Sequence, residues 1–521
     1  MPPLSHSYEH VLEQLKSASP EALRFTRGIE KEGLRVNADA QINQQPHPKA
    51  LGSTLTHPSI TTDYSEALLE FITPVADNPD DVLNFLDEVQ RFSFSKLNGQ
   101  FVWPASMPGV INDELDVPIA HYGTSNTGTL KHVYRHGLWH RYGRKMQCIA
   151  GMHYNFSVSQ EMWQFLADQK GVACDQNFIS QGYFGLIRNF RRYSWLLLYL
   201  FGASPALDAS FLENEEHGLQ KWDDKTYFGP YATSLRMSGL GYQNNAQDDL
   251  FVCFNGLPTY TKTLKTAMQQ SMPQYENIGI EENGIYKQLN TNLLQIENEY
   301  YSDIRPKRNS QHGEKPLTSL NKYGVEYIEV RCLDLNPFEP LGVSREQINF
   351  LDCFLAYCLL SDSPKLSPEE CSEVAQNSKH IVLEGRDPEF YLTHHGKKLS
   401  VKQWGSELID QLLPLAKLLD EKNNTNDFAK ALTVMQQRVD DSSLTPSAQI
   451  LQIMKTENLS FSEFGLKQAK SVSNYFSGNL SEEKTSHWNT LSEKSLTQQS
   501  EIEASDLVPF SQFLTDYLAR E

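Results

Sequence analysis

The chain has 521 residues and 59.4 kDa, enough for a large core and, at ~150 residues per unit, about three units of ordinary size. With 39% hydrophobic and 21% charged residues it belongs with globular rather than disordered proteins. Its 65 acidic against 46 basic residues give a net charge of −19, which excludes non-specific binding to nucleic acid or anionic membrane and leaves divalent cations open.

Residues 1–17 have neither a basic nor an apolar signal region, so no secretory leader is expected. The longest apolar run, 195–201, falls far short of the ~18 residues of a membrane span. Seven cysteines without a C-x-x-C pair point to free thiols in a reducing cytosol. A cytoplasmic protein is expected.

In chain order, Val11, Leu12, Leu15 and Leu23 give residues 8–24 a short helical start broken at Pro20. From about residue 24 to 382, β-like and helical segments alternate without an internal repeat. A helix is expected over 187–200. The clearest helix begins at Ser344, where Ser344 and Gln347 have capping-box spacing and Ile348, Leu351, Leu355, Cys358 and Leu359 recur at helical intervals. Pro364 and Pro368 bracket a turn. Residues 402–437 and 445–475 read as amphipathic helices. The stretch 476–505, rich in Ser, Thr, Glu and Lys, fits a solvated helix, a loop or a disordered segment.

Four extended segments carry an unusual polar face. Glu30 and Glu32 in 28–33 (GIEKEG) are two apart and point the same way on a strand. In 151–157 (GMHYNFS), His153, Asn155 and Ser157 share one side and Met152, Tyr154 and Phe156 the other. In 326–332 (EYIEVRC), Glu329 and Arg331 share a face opposite Ile328, Val330 and Cys332. Gln295, Glu297 and Glu299 alternate in 294–299 (LQIENE), while Asp63 and Glu70 add two carboxylates. Any one of these is most simply a half-buried strand with a wet face. Together they are metal-ligand types plus arginine. Converging carboxylates ~4 Å apart repel by ~1 kcal/mol per pair in water and several-fold more in a cleft, which divalent cations would relieve. Oxygen donors with one histidine suit Mg²⁺ or Mn²⁺, and nearby arginine suits nucleotide phosphate.

The common nucleotide loops are missing. Residues 123–128 (GTSNTG) have the two glycines of a P-loop, but Thr129 and Leu130 replace its Lys and Ser/Thr; Gly239 and Gly241 are not followed by a dinucleotide fingerprint. Arg188, Arg191 and Arg192, on a predicted helix, are expected as surface charges available to pair with the acidic excess. Arg305, Lys307 and Arg308 form a basic patch, either solvated or phosphate-directed. No Ser/His/Asp or Cys/His signature is present.

The blocks 27–36 (RGIEKEGLRV), 62–74, 122–128, 151–157, 199–206, 232–242 (ATSLRMSGLGY), 294–299, 304–308, 326–331 and 382–386, in this order, resemble the proteobacterial type 1 glutamate–cysteine ligases. The resemblance covers about residues 26–386. It implies an α+β, glutamine-synthetase-like fold: a curved antiparallel sheet forming a funnel surrounded by helices. Residues 1–390 would be the catalytic core and 391–521 a mainly helical region packed on it. The implied activity is ATP-dependent joining of the γ-carboxyl of L-glutamate to the amine of L-cysteine through a γ-glutamyl phosphate, the first step of glutathione synthesis.

Carried over by motif position, the metal ligands would be Glu30, Glu32, Asp63, Glu70, His153 and Glu329, holding two or three Mg²⁺ ions, with Mn²⁺ as an alternative. Arg331 would meet the transferring phosphoryl group, and Arg236 and Arg135 would neutralise substrate carboxylate or phosphate. Tyr134, Leu138, Gln147, Tyr242 and Tyr301 would line the cysteine pocket, with Ile149 and Asn155 nearby. The resemblance also implies a monomer and feedback by glutathione. Two alternatives stay open at this point: a related ligase with another amine acceptor, and a two-metal phosphohydrolase.

Overall fold

Period-two alternation over residues 25–36 sends Glu30 and Glu32 to one side and Arg27, Ile29 and Lys31 to the other, and this segment forms the central strand of the protein. A computed structural model of the chain describes residues 6–212, 217–241, 250–310 and 314–520. In it Phe25–Val36 lies within a seven-stranded antiparallel sheet. The order across the sheet is Ile304–Lys307, Tyr327–Leu333, Met152–Val158, Phe25–Val36, Leu68–Ile72 and Ile60–Thr62, with Phe101–Val102 on the end of the central strand. The register puts Glu30 opposite His153, Glu32 opposite Glu70, and Asn155 between Gly28 and Glu329. A register shift between Val330 and Leu333 gives the Tyr327–Leu333 strand an extra residue where it passes His153, which re-aims Arg331.

The opposite face of the sheet is apolar and covered by helices. Ile29, Tyr154, Phe156, Ile328 and Val330 are buried in one hydrophobic cluster with residues of the helices Gln176–Phe201 and Arg345–Leu360. Inside that layer the Arg27 guanidinium pairs with Asp352 at 2.8 Å, and the Tyr154 hydroxyl donates to the same carboxylate at 2.7 Å. Both partners of the pair are almost fully buried. Such a pair costs desolvation when formed and is expensive to break.

The helices expected at 187–200 and after Ser344 are both present, the second with Ser344 Oγ accepting the Gln347 amide at 3.1 Å. Residues 8–24 resolve into the helix His6–Ser17 and a short turn at Pro20–Leu23. The 402–437 stretch is two helices, Val401–Asn423 and Asp427–Asp440, parted by Asn424 with φ 53°. Likewise 445–475 is Pro446–Glu457 and Phe461–Tyr475, parted by Asn458 in the same left-handed conformation. The 476–505 stretch contains one long helix, Glu482–Ser505. These C-terminal helices join the main hydrophobic cluster: Trp404 lies 4.8 Å from Trp195, and Trp488 packs against His57, Phe85 and Phe92.

One extended segment is corrected. Residues 294–299 are not a strand; Glu297–Glu299 is a single 3₁₀ turn, and its polar side chains serve the backbone. Glu297 accepts the Leu317 amide, and Gln295 Oε1 accepts the Leu289 amide. Glu299 pairs with Arg141 at 2.9 Å and accepts from the Tyr142 hydroxyl and the Gln295 amide. Of the three arginines, two pair with acidic residues as expected, while burial of Arg192 corrects its placement at the surface. Arg192 is buried and pairs with Glu370 at 2.6 Å, Arg191 pairs with Asp303 at 2.7 Å, and Arg188 donates to the Ser363 carbonyl.

Candidate active site

The polar face of the sheet gathers residues from six strands or strand ends. Ligand atoms of Glu30, Glu70 and His153 all lie within 4.8 Å of one another. His153 Nδ1 is 3.2 Å from Glu30 and 3.6 Å from Glu329, and its Nε2 is 3.9 Å from Glu32. Asn155 Nδ2 donates to Glu30 at 2.9 Å, while its Oδ1 is buried without a hydrogen-bond donor among the described residues. The Gly151 amide donates to Glu32 at 2.6 Å. Asp63 sits at the rim, half-exposed, where Arg135 holds its backbone carbonyl at 2.6 Å and its carboxylate at 3.3 Å.

The charges divide the floor into two halves. Burial first, then the charges of Glu30, Asp63 and Glu32, keep the Glu70 carboxyl well above its ordinary range. Burial also raises Glu32, with Asp63 adding to the effect and His153 opposing it. On the other half burial is outweighed. The hydrogen bond from His153 leaves Glu30 below its ordinary value, and Lys307, Arg331 and His153 hold Glu329 well below its own. Lys307 Nζ is 3.3 Å and Arg331 Nη1 2.9 Å from the Glu329 carboxylate. The acid-rich half therefore crowds carboxyls against one another with Arg135 at its edge, and the other half carries Lys307 and Arg331 beside its carboxylates.

This donor set fits a hard divalent cation: several carboxylate oxygens, one imidazole, no thiolate, and a buried amide oxygen awaiting a partner. Glu30, Glu32, Glu70, His153 and Glu329 are brought together by sheet register. Asp63 joins them from the rim.

The remaining expected residues surround this floor. Arg331 Nη1 lies 3.4 Å from His153 Nδ1, so it is part of the floor. Arg236 is buried beneath it: Nη2 donates to the Arg331 carbonyl at 2.9 Å, and Nη1 lies 3.8 Å from Asp334. A side chain at Gly151 would place its Cβ 2.1 Å from Arg236 Nη2, so glycine is required there for this approach. Tyr134, Arg135 and Leu138 come from one helix, Asn126–Tyr142. Gln147 Nε2 donates to the Tyr301 hydroxyl at 3.1 Å, and Ile149 is buried just before Gly151. Tyr242 lies outside the described residues.

Three roles were not visible in sequence. Asp334 accepts from the Ala203 amide and the Ser204 and Ser234 hydroxyls, and so fixes Arg236 from a position just past the Tyr327–Leu333 strand. Glu299 orders the end of the helix that carries Tyr134 by holding Arg141 and Tyr142. Arg305 is no part of a surface patch; it is buried and donates to the Asn298 and Tyr300 carbonyls. Of that trio, Lys307 is the one that meets the site.

The sequence pattern of the family described as glutamate-cysteine ligase matches residues 12–381. Over 494 residues the chain is 51% identical to the glutamate–cysteine ligase of Pseudomonas putida, covering 94% of each chain. It is 49% identical to that of Pseudomonas fluorescens, covering 94% of this chain and 93% of the relative. A crystal structure of the Francisella tularensis glutamate–cysteine ligase in complex with AMP superimposes with a TM-score of 0.89 at 35% identity, covering 95% of this chain and 97% of that one. A bifunctional glutathione synthetase from Pasteurella multocida shares the fold, with a TM-score of 0.66 at 22% identity, over 91% of this chain and 54% of that one. The α+β architecture, a helix-backed antiparallel sheet with a helical C-terminal region, is the glutamine-synthetase-like one. The chain belongs to the glutamate–cysteine ligase family.

Proposed function

We propose that this chain joins the γ-carboxyl of L-glutamate to the amine of L-cysteine, forming γ-glutamylcysteine, ADP and phosphate. The observation that carries this reading is the floor itself: Glu30, Glu70 and His153 converge within 4.8 Å, with Glu329 and Arg331 beside them, in a chain of this family.

A carboxylate is a poor electrophile. Its γ-oxygen first attacks the terminal phosphate of ATP, giving γ-glutamyl phosphate and ADP; the cysteine amine then attacks the acyl carbon and expels phosphate. Two anions must meet in the first step, so preorganised positive charge is the main requirement. Mg²⁺, two or three ions held by Glu30, Glu32, Asp63, Glu70, His153 and Glu329 with Mn²⁺ able to substitute, would supply neutralisation and polarisation of the phosphates. Arg331 presents its guanidinium from the floor, where Glu329 and the strand bulge orient it. Arg135 at the rim and Arg236 below add charge for substrate carboxylate or phosphate. Tyr134, Leu138, Gln147, Ile149, Asn155, Tyr242 and Tyr301 serve the acceptor side.

The product contains the γ-glutamylcysteine moiety of glutathione, so glutathione would compete for the glutamate and acceptor sites. By family resemblance the enzyme acts as a monomer in the cytoplasm.

Oxygen-18 in the γ-carboxyl of L-glutamate tests the chemistry. One labelled oxygen must appear in released phosphate for each peptide bond formed. Unlabelled phosphate alongside γ-glutamylcysteine would contradict the acyl-phosphate route.

A further inference from the structure

The helix Asn126–Tyr142 carries Tyr134, Arg135 and Leu138, and its start is held by the far end of the chain. The first amides of a helix have no intrahelical acceptor. Ser125 Oγ takes the Gly128 amide at 3.1 Å. Two carboxylates from more than 370 residues later bind here as well: Asp506 accepts the Asn126 amide, the first of the helix, at 2.5 Å, and Glu503 accepts the Thr124 amide, just ahead of the cap, at 2.8 Å. The Val508 carbonyl accepts from the Asn126 side chain at 2.9 Å. Negative charge at this end also complements the helix dipole. The bond to Thr124 keeps the Glu503 carboxyl below its ordinary value.

The grip continues along both neighbours. Leu514, on the helix Phe510–Ala519, packs with Val133 and Leu289. Lys315 Nζ donates to the Arg520 carbonyl at 2.8 Å. The preceding helix, Glu482–Ser505, reaches the loop before Asp63: Ser53 Oγ donates to Gln499, and Thr56 Oγ1 to the Ser495 carbonyl. Arg135 then ties its own helix to Asp63. Residues 482–520 thus touch both elements that frame the rim.

We propose that the C-terminal segment 482–520 is a positioning clamp in which Glu503 and Asp506 set the placement of the Asn126–Tyr142 helix and thereby the enzyme's affinity for its amine acceptor. This rests on the reading of Tyr134 and Leu138 as acceptor-pocket residues. Neither carboxylate is a catalytic residue; each acts through the helix it holds.

The test is a KM comparison on full-length enzyme. In Glu503→Ala/Asp506→Ala the KM for L-cysteine rises at least fivefold, and by at least twice the factor seen for L-glutamate and ATP, which meet this helix only through Arg135. Glu503→Gln/Asp506→Asn, which keeps an acceptor oxygen at each site, returns the cysteine KM to within twofold of wild type. Unchanged KM values, a parallel rise in all three, or a fall in kcat alone would overturn the clamp. Should the double variant not yield soluble protein, Asp506→Ala is read by the same criterion. The wild-type amine preference is measured first; if wild type joins glutamate to a different amine, the acceptor reading is corrected and the same split is read on that amine.

Discussion

His153 and Glu30 face each other directly across two antiparallel strands, and their Nδ1 and Oε2 atoms are 3.2 Å apart. The same imidazole is within 4 Å of Glu329 and Glu32. A single side chain therefore touches both halves of the floor, the half whose carboxyls are pushed up and the half held down by Lys307 and Arg331.

Glu329 is the carboxylate that most nearly combines both tasks, since it faces His153 and orients Arg331. Glu329→Ala is expected to lower turnover by on the order of 10²–10³-fold or more, the scale of losing a preorganised charge, with an unchanged circular dichroism spectrum. Undiminished turnover would remove Glu329 from the chemistry.

Metal affinity should depend on pH with a definite sign. Glu70 and Glu32 hold protons above the ordinary carboxylate range, and a ligand must lose its proton to bind a cation. The apparent Mg²⁺ affinity is expected to rise with pH, with protons released on binding. Calorimetric titration in buffers of different ionisation enthalpy measures that release directly. Glu70→Gln should reduce it; a wild-type affinity independent of pH would contradict the charge division.

Lys31 lies on the helix-covered side of the same strand, buried, with Nζ donating to Gln90 Oε1. Burial lowers its pKa from 10.5 to about 7. A lysine lowered on folding binds its proton in the unfolded chain but not in the native one between those values. Stability therefore rises with pH across that window, and the burial cost is complete below it. Relative to Lys31→Met, the wild-type protein should gain about 2 kcal/mol between pH 8 and pH 10, read from urea melts at both pH values. Parallel pH dependences of the two proteins would rule this out.

The pair behind the sheet gives a stability prediction of another kind. Arg27→Met leaves the buried Asp352 carboxylate without its guanidinium and should cost about 3–5 kcal/mol, whereas Arg27→Met/Asp352→Leu should recover much of it. Denaturant midpoints of the two variants decide between them.

The floor was legible in sequence because strand periodicity does the sorting. Once 25–36, 151–157 and 326–332 are read as strands, Glu30, His153, Asn155, Glu329 and Arg331 must fall on faces that register can bring together. The same period misled at 294–299, where Gln295, Glu297 and Glu299 alternate but bond to distant amides and to Arg141. Local pattern cannot separate a ligand carboxylate from one that caps backbone. Asp334 was invisible for a related reason, since its partner Arg236 is about a hundred residues away. The helix Glu482–Ser505 was ambiguous because its buried positions are only Trp488, Ser492 and Ser495. Two of those are serines packed against Gly52, so no apolar stripe marks the seam.

Substrate-dependent ADP release separates a ligase from a phosphohydrolase in one assay. Purified enzyme with ATP and Mg²⁺ is given L-glutamate, with L-cysteine or L-2-aminobutyrate added in separate runs. Turnover is expected only with glutamate plus an acceptor, 2-aminobutyrate serving because the amine reacts and the thiol does not. ADP release without either amino acid would mark a phosphohydrolase and contradict the ligase reading.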